Sequence, residues 1–304
     1  MTWWLYDLVI IFSLLGGACG FICVMTSRTR RHFGSISRGF LLFGIATAWL
    51  TLFYGSFLEP RLLVVRPFSV VLSGAPSQKV TAAVVADLHL GPYKGERWMR
   101  QVVERINALH PDLVFLDGDF VFDDPAAASE FAPLKELRAP LGVFAVTGNH
   151  DYQWGRDAEI VRALETFGVT VLRNQSRRLE TKDGSSFVLA GIDDLWYGAE
   201  LRKALEGVVL EETVLLLSHN PDVVSFPRAR FVDFVISGHT HGGQIRLPWI
   251  GSLAHMPTAL GNAFDKGLFS FNGQSLFITS GAGEMGPRAR LFDPPEIAFL
   301  DIHF

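Results

Sequence analysis

The chain has 304 residues, with 27 basic and 31 acidic side chains and a formal net charge of −4. Residues 61–304 carry 23 of the basic and 29 of the acidic side chains, and this net charge of −6 argues against a nucleic-acid backbone as the main partner. Both cysteines, Cys19 and Cys23, lie near the N-terminus, so residues 61–304 contain neither a disulfide framework nor a thiolate metal site.

Two apolar segments predict a membrane anchor over residues 1–60 and account for the high mean hydropathy of +0.25. Each has close to the ~20 residues that a helix needs to cross a bilayer. We expect the helices at about 4–27 and 39–58, joined by a basic loop over 28–38. A cleaved signal peptide is one alternative, but no basic stretch precedes the first segment and a second apolar segment follows it. A buried hairpin of a soluble core is the other alternative.

The basic loop also predicts an orientation in the membrane. Short basic loops stay in the cytoplasm, and this loop contains four arginines: Arg28, Arg30, Arg31 and Arg38. The N-terminus and everything after residue 60 are then expected outside the cytoplasm. Two arginines just after the second segment, Arg61 and Arg66, favour the opposite orientation more weakly.

After a predicted linker at 61–79, strands and helices alternate along a predicted domain at 80–304. Apolar residues at helical spacing predict helices over 96–110, 126–139 and 157–168. Apolar runs that end in polar turns predict strands within eight segments: 80–90, 111–120, 141–151, 185–194, 213–222, 231–244, 275–283 and 295–304. Strand–helix alternation followed by further strands predicts α/β layers with one sheet packed on another.

Chemically active side chains follow these strands directly. They are Asp87, His89, Asp119, Asn149, His150, His219, His239 and His241. Open α/β sheets bind ligands at the carboxyl ends of their strands, so we expect these side chains to converge on one crevice. Carboxylate and imidazole groups suit hard-to-borderline divalent metals. Two metals ~3.5–4 Å apart can clamp the attacking and leaving oxygens of a phosphoryl displacement, and His239 and His241 are expected to serve different metals.

Five ordered blocks resemble the calcineurin-like metallophosphoesterase family: ADLHLG, LDGDF, TGNHDY, LLLSHNPD and SGHTHGGQIRLP. The resemblance runs over residues 80–304 and is greatest to a bacterial membrane-associated branch with HNPD and GHTHGGQ. Some members of that branch hydrolyse a lipid-linked sugar-nucleotide pyrophosphate. The resemblance implies a four-layer α/β/β/α sandwich, here preceded by two N-terminal transmembrane helices. It also implies a location in the bacterial inner membrane.

The resemblance further implies a site for two divalent metal ions, with Mn²⁺ expected first and Fe or Zn as alternatives. The implied ligands are Asp87, His89 and His241 for one metal, Asn149, His219 and His239 for the other, and Asp119 as the bridge. A metal-bound hydroxide is the implied nucleophile. His150 is implied to stabilise the transition state or to protonate the leaving oxygen, and Asp151 to orient His150.

One position departs from the branch. An arginine often precedes a late Gly-x-Gly there, whereas this chain has Ser280, and Arg288 or Arg290 is expected to supply the charge. Four aromatic residues lie near the blocks and are expected to pack in the core: Trp154, Trp196, Tyr197 and Trp249. An apolar rim for a lipidic substrate is the alternative.

The sequence therefore predicts a membrane-anchored, metal-dependent hydrolase of phosphoester or pyrophosphate bonds. The expected substrate is a phosphorylated small molecule or a lipid-linked compound such as a UDP-diacylglucosamine-type pyrophosphate. The expected partner is the lipid bilayer, with no nucleic acid involved. Two alternatives stay open. One is a tethered phosphodiesterase that acts on soluble nucleotides or cell-wall polymers, and the other is a non-catalytic membrane interaction module.

Overall fold

The computed structural model describes residues 3–26, 34–72, 78–182 and 184–304. Two apolar helices, α1 (Trp3–Met25) and α2 (Ser35–Phe53), pack against each other near the N-terminus. By length and composition, both are able to cross a membrane. The predicted spans at 4–27 and 39–58 thus correspond to helices. Three arginines of the predicted basic loop lie outside the described residues: Arg28, Arg30 and Arg31.

The second helix continues past its α-helical part. It passes through a π-helical turn (Tyr54–Leu58) and a 3-10 turn (Glu59–Arg61) before the first strand begins. The indole N–H of Trp49 donates to the Leu14 carbonyl at 2.9 Å and joins the two helices. Gly17 permits this contact, because a Cβ there would lie 3.1 Å from the indole ring.

The strands form two mixed sheets and a short ribbon. In chain order they are β1 (Val64–Val71), β2 (Lys79–Val85), β3 (Leu113–Asp117), β4 (Val143–Val146), β5 (Thr170–Val171), β6 (Gln175–Glu180), β7 (Ser186–Gly191), β8 (Val214–Leu217), β9 (Phe234–Ser237), β10 (Arg246–Leu247), β11 (Gly251–Ser252), β12 (Gly267–Phe271), β13 (Gln274–Ile278) and β14 (Glu296–His303). The first sheet has the order β1-β14-β2-β3-β4-β5, and the second has the order β12-β13-β9-β8-β7-β6. Strands β10 and β11 form the antiparallel ribbon.

Parallel pairing sets the direction of the strands that matter for the site. Strands β2, β3, β4 and β5 are parallel in the first sheet, and β7, β8, β9 and β13 are parallel in the second. Residues 61–79, predicted as a linker, contain β1, which pairs in parallel with β14. The first sheet therefore begins before residue 80.

Alternation along β2 shows how the layers are arranged. Ala83 and Val85 belong to a buried cluster with Met99 of helix α3 (Glu96–Ala108), and helix α4 (Asp157–Thr166) contributes to the same cluster. Ala82 and Val84 point the other way, into a cluster that contains Phe187 and Phe277 of the second sheet. Successive strand residues face opposite sides of a sheet, so the first sheet lies between helices and the second sheet.

The outer face of the second sheet is covered by a third buried cluster. It includes helix α5 (Leu201–Ala204) and residues of two 3-10 turns, Pro221–Ser225 and Ala229–Phe231. The predicted four-layer α/β/β/α sandwich is therefore confirmed, with a fourth layer of short turns. The helix predicted over 126–139 is instead a 3-10 segment, Pro125–Glu136, with Pro133 inside it. A proline at that position removes a backbone donor and clashes with the preceding turn, which disfavours a regular α-helix.

The two N-terminal apolar helices pack on the rest of the chain through the loop before β14. The backbone N–H of Arg290 donates to the Gly55 carbonyl of the π-helical turn at 2.8 Å. The buried carboxylate of Glu59 accepts a hydrogen bond from the backbone N–H of Asp293 at 2.5 Å. Arg288 forms an ion pair of 3.3 Å with Asp7 on α1. These contacts fix the two apolar helices against the loop at 288–293.

Candidate metal centre

The predicted ligands come together at one end of the two sheets. They follow the carboxyl ends of five parallel strands, β2, β3 and β4 in the first sheet and β8 and β9 in the second. A cavity of about 380 Å³ opens above them. Its lining includes Asp119, Asn149, His150, Trp196, His239, His241, Met256 and Met285. The sandwich thus carries its carboxylates and imidazoles to the floor of one cavity.

A first group is formed by Asp87, His89 and His241, whose candidate ligand atoms all lie within 4.8 Å of one another. The Nε2 atoms of the two histidines are 3.1 Å apart, and Asp87 Oδ1 is 3.4 Å from His241 Nε2. All three side chains are buried. This is the set that the family resemblance implies for one metal.

A second group consists of Asp87, Asp119 and His219, again within 4.8 Å. Asp119 Oδ2 is 3.2 Å from His219 Nε2 and 3.5 Å from His89 Nε2, so this carboxylate lies between the two groups. That position suits the predicted bridge. Asp87 also belongs to both groups, which the sequence does not predict. The His239 ring is close by, with its centroid 5.2 Å from that of His219.

Backbone carbonyls orient two of the histidines. His219 Nδ1 lies 2.6 Å from the Asp117 carbonyl, and His239 Nε2 lies 2.9 Å from the Pro257 carbonyl. When such a ring is neutral, the N–H directed at the carbonyl leaves the opposite nitrogen unprotonated and available to a metal. Asn149 Oδ1 is buried without a hydrogen-bond partner among the described residues. These free nitrogen and oxygen atoms fit divalent cations.

Burial controls the protonation of the cluster. It lowers the pKa of His89 to about 3 and that of His239 to about 4, so both rings are neutral at pH 7. It also raises the pKa of Asp87 to about 7. At His219 burial opposes the charged form, but Asp119 and the other nearby carboxylates outweigh it and raise the pKa. The neutral imidazoles are in the state that a metal requires.

The backbone at the site adopts a conformation that most residues avoid. Five of the predicted ligands have φ between 42° and 70°: Asp87, His89, Asp119, His239 and His241. Such non-glycine residues cost of order 1–3 kcal/mol each and concentrate at functional sites. The conformation is thus shared by both residues of the pair Asp87 and His89 and by both residues of the pair His239 and His241.

Glycines let the loops of the two sheets come into contact. A Cβ on Gly148 would lie 2.5 Å from the backbone nitrogen of Asp119 and 2.8 Å from His219 Cδ2. A Cβ on Gly238 would lie 2.7 Å from Asp87 Oδ2. Real Cβ atoms do not approach so closely, so any side chain at these positions would separate the ligands.

His150 lines the cavity, but Asp151 does not hold it as expected. The Asp151 carboxylate accepts hydrogen bonds from the backbone N–H groups of Gly148, Asp119 and Phe120, at 2.8 to 3.0 Å. His150 Nδ1 instead lies 3.0 Å from the Phe122 carbonyl. The expectation that Asp151 orients His150 is therefore wrong for this structure; Asp151 ties two ligand-bearing loops together.

The two arginines expected to replace the charge missing at Ser280 have structural partners. Arg290 is fully buried, and its guanidinium donates to the carbonyls of Ser280, Gly283 and Asp293 at 2.7 to 2.9 Å. Arg288 forms its ion pair with Asp7 on α1. Arg290 therefore supports the glycine-containing loop from behind.

The aromatic residues near the blocks are not core residues. Trp196 is 58% exposed, and its ring lies edge-on to His239 with centroids 5.1 Å apart. Tyr197 is 50% exposed, and its ring stacks on that of Tyr152 with the centroids 4.8 Å apart. Trp249 is fully exposed. The expected core packing of these three side chains is wrong, and Trp196 belongs to the rim of the cavity. The same expectation for Trp154 falls on a side chain outside the described part of the structure.

Comparison with known proteins identifies the family. Residues 80–243 match the model of the calcineurin-like phosphoesterases. The chain belongs to this family. The metallophosphoesterase F40B5.2 of Caenorhabditis elegans is 31% identical over 280 residues, which cover 86% of this chain and 56% of that relative. The uncharacterized metallophosphoesterase YkuE of Bacillus subtilis is 30% identical over 286 residues, which cover 91% of this chain and 99% of YkuE.

A third relative contains a membrane portion. A transmembrane protein with a metallophosphoesterase domain from Danio rerio is 30% identical over 228 residues, which cover 70% of this chain and 51% of the relative. The phosphoesterase thus spans about half the length of its animal relatives and nearly all of the bacterial one. The predicted family is confirmed.

Metal content tests the cluster directly. We expect the full chain, purified in detergent and dialysed against Mn²⁺, to retain about two ions per molecule. Asp119→Asn should retain fewer than one, because it weakens the carboxylate that lies between both groups. Asp124→Asn is the matched control, since Asp124 is exposed and caps a 3-10 segment, a role that asparagine also performs. Equal metal content in all three proteins would contradict the assignment.

Proposed function

We propose that this phosphoesterase is a membrane-anchored hydrolase of phosphoester or pyrophosphate bonds that uses two divalent metal ions. The observation that carries the proposal is the buried cluster formed by carboxylate, amide and imidazole groups from five strand ends. We further propose the ligand assignment that the family resemblance implies, with Asp119 between the two ions. Nitrogen and oxygen donors discriminate weakly among metals, and Mn²⁺ is proposed first, with Fe or Zn as alternatives.

Two ions bound in this cluster would neutralise phosphoryl charge and lower the pKa of a water molecule. The chain itself would position the substrate and supply one proton-transfer group. His150 lines the cavity beside Asp119 and Asn149, and its ring centroid is 4.9 Å from that of His89. Its Nδ1 faces the Phe122 carbonyl at 3.0 Å and the side-chain amide of Gln153 at 2.5 Å, so Nε2 is the ring nitrogen left for substrate. We propose that this nitrogen contacts a phosphoryl oxygen or protonates the leaving oxygen.

The substrate we favour is lipid-linked, such as a UDP-diacylglucosamine-type pyrophosphate. The polar floor of the cavity suits a phosphoryl group, whereas Trp196, Met256, Pro257 and Met285 give its walls an apolar character. The two apolar N-terminal helices, packed on the same domain, would keep it at a bilayer. Together these features suit an amphipathic substrate more than a small soluble ester.

Hydrolysis of bis-p-nitrophenyl phosphate tests the catalytic proposal. With Mn²⁺, we expect turnover by the detergent-purified full chain. Asp119→Asn and His150→Ala should each lower kcat/KM by about 10²-fold or more, because one disturbs the metal cluster and the other removes the proton-transfer group. His110→Asn serves as the control, since His110 lies at the end of α3 with a φ of 49° that asparagine tolerates. Identical rates for all four proteins would favour the non-catalytic module.

The length of the acyl chains on the substrate distinguishes a lipid-linked substrate from a soluble one. For one pyrophosphate headgroup, we expect kcat/KM to be at least about tenfold higher with long acyl chains in mixed micelles than with a water-soluble short-chain analogue, because apolar contacts add binding energy. Trp196→Ala should reduce this preference, whereas activity on the soluble analogue should change little. Equal rates on both substrates would favour a tethered enzyme acting on soluble nucleotides or polymers.

We also propose that the anchor lies in a bacterial inner membrane with the catalytic domain outside the cytoplasm. The support is the basic loop between the two apolar helices, because such loops remain cytoplasmic. Alkaline phosphatase and green fluorescent protein fused after Phe304 report the side, since each is active on one side only. We expect an active phosphatase fusion and a dark fluorescent fusion. The reverse pattern would place the domain inside and make a cytoplasmic lipid precursor the leading substrate.

A further inference from the structure

A short hairpin stands at the mouth of the cavity. Strands β10 and β11 form its two arms, and residues 243–244 and 254–257, directly before and after it, line the cavity. At its base, Arg246 donates to the Gly242 carbonyl at 2.8 Å and pairs with Asp265 at 2.5 Å. Any constraint on the tip of this hairpin is therefore transmitted to the mouth of the cavity.

The tip presents apolar side chains to the surroundings. Trp249, Ile250 and Leu253 are 102%, 71% and 58% exposed. The turn is closed by a hydrogen bond of 3.2 Å from the Ile250 N–H to the Leu247 carbonyl. Trp249 has a φ of 65°, a conformation that turns usually give to glycine. The indole is thus not buried by the described part of the chain, although its backbone is strained, and this leaves it available to a surface outside the chain.

The hairpin is continuous with the membrane anchor. Ile245 forms a β-bridge with Leu291, and Arg246 N–H donates to the Leu291 carbonyl at 2.9 Å. The adjacent residue, Arg290, bonds to Gly55 near the C-terminal end of the second apolar helix. Phe292, which follows Leu291, is 57% exposed. One loop thus joins the base of the hairpin to the point where the predicted span ends.

We propose that the tip of this hairpin, residues 249–253, inserts into the membrane interface beside the second helix. Tryptophan favours the headgroup region, and isoleucine and leucine gain from burial among acyl chains. This second membrane contact holds the mouth of the metal cavity at the lipid surface, at the depth of a headgroup phosphate. The inference rests on the proposed membrane anchoring and names the surface from which substrate enters.

Position-specific fluorescence tests the insertion. Cys19 and Cys23 are replaced by alanine in the full chain, and a single cysteine labelled with the environment-sensitive dye NBD is introduced by Ile250→Cys. The protein is reconstituted in vesicles of equal parts phosphatidylcholine and phosphatidylglycerol, with a nitroxide-labelled phospholipid as quencher. Phe43→Cys on α2 is the positive control, and Leu210→Cys, in the turn before β8, is the negative control. Both of these side chains are well exposed, at 72% and 79%.

We expect strong quenching at positions 250 and 43 and about threefold less at 210, because the interface brings the dye within reach of the nitroxide. Quenching at 43 alone overturns the hairpin contact and leaves the anchor intact. No quenching at 43 overturns both. Equal quenching at 210 and 250 also overturns the proposal, since it indicates general adsorption of the domain.

A functional arm uses Trp249→Gly, which removes the indole and suits the positive φ, so the fold is preserved. We expect its unfolding temperature in detergent to equal or exceed that of the wild type. Its hydrolysis of a vesicle-borne lipid phosphoester should fall about tenfold relative to the wild type, with unchanged hydrolysis of bis-p-nitrophenyl phosphate. Unchanged activity on the vesicle substrate contradicts the proposal, whereas inactivity of the wild type on both substrates contradicts the proposed function.

Discussion

The close approach of loops from two different sheets is the constraint on which the rest of this structure depends. Gly148 and Gly238 allow backbone from one loop to touch ligand side chains of another. The result is a buried cluster of carboxylates that includes Asp87, Asp117 and Asp119. Buried carboxylates are costly unless they are paired or bind a cation, and burial raises the pKa of Asp117 to about 8.

Divalent cations resolve this electrostatic conflict more completely than a proton does. In the protein alone, a protonated His219 beside Asp119 supplies part of the missing positive charge, as the raised pKa of His219 indicates. Metal binding would replace that proton and engage the free atoms of Asn149 and the neutral imidazoles. Because such a site cannot exist in the unfolded chain, the free energy of metal binding would also stabilise the fold. It would likewise offset the strain at the left-handed ligand residues.

Local patterns predicted the layers, the strand ends and the side chains that gather there. These patterns failed where strand pairing or a hydrogen bond depends on backbone that is remote in the sequence. Strand β1 contains Pro67 and pairs with β14 at the far end of the chain, so its segment looks like a linker when read locally. Proline is confined to edge strands, and β1 is an edge. Asp151 follows His150 directly and was expected to orient it, yet backbone N–H groups of the neighbouring loop lie closer.

The carbonyls that orient the site histidines are equally invisible in the sequence. Asp117, Phe122 and Pro257 contribute main-chain oxygen atoms, so the identity of the residue carries no signal. The sequence also carries no signal for the role of the Arg290 side chain. Its charge could have faced the cavity, but the fold surrounds it with carbonyls and with the carboxylates of Glu284 and Asp293. Only the three-dimensional path of the loop decides between those two roles.

That loop connects two functions that are separate in the sequence. Through Arg290 and Leu291 it contacts the end of the second apolar helix, the base of the exposed hairpin and the glycine-containing turn behind the ligands. If the apolar helices span a bilayer as proposed, the fold itself, rather than a flexible tether, would set the position of the cavity relative to that bilayer. A dimetal centre recognises a phosphoryl group and little else, so discrimination among phosphorylated compounds must come from the rim and from location. Confinement to a surface raises the effective concentration of substrates in that surface without any new contact. With the proposed anchoring, such an enzyme would gain selectivity for membrane-borne phosphoesters from where its cavity opens.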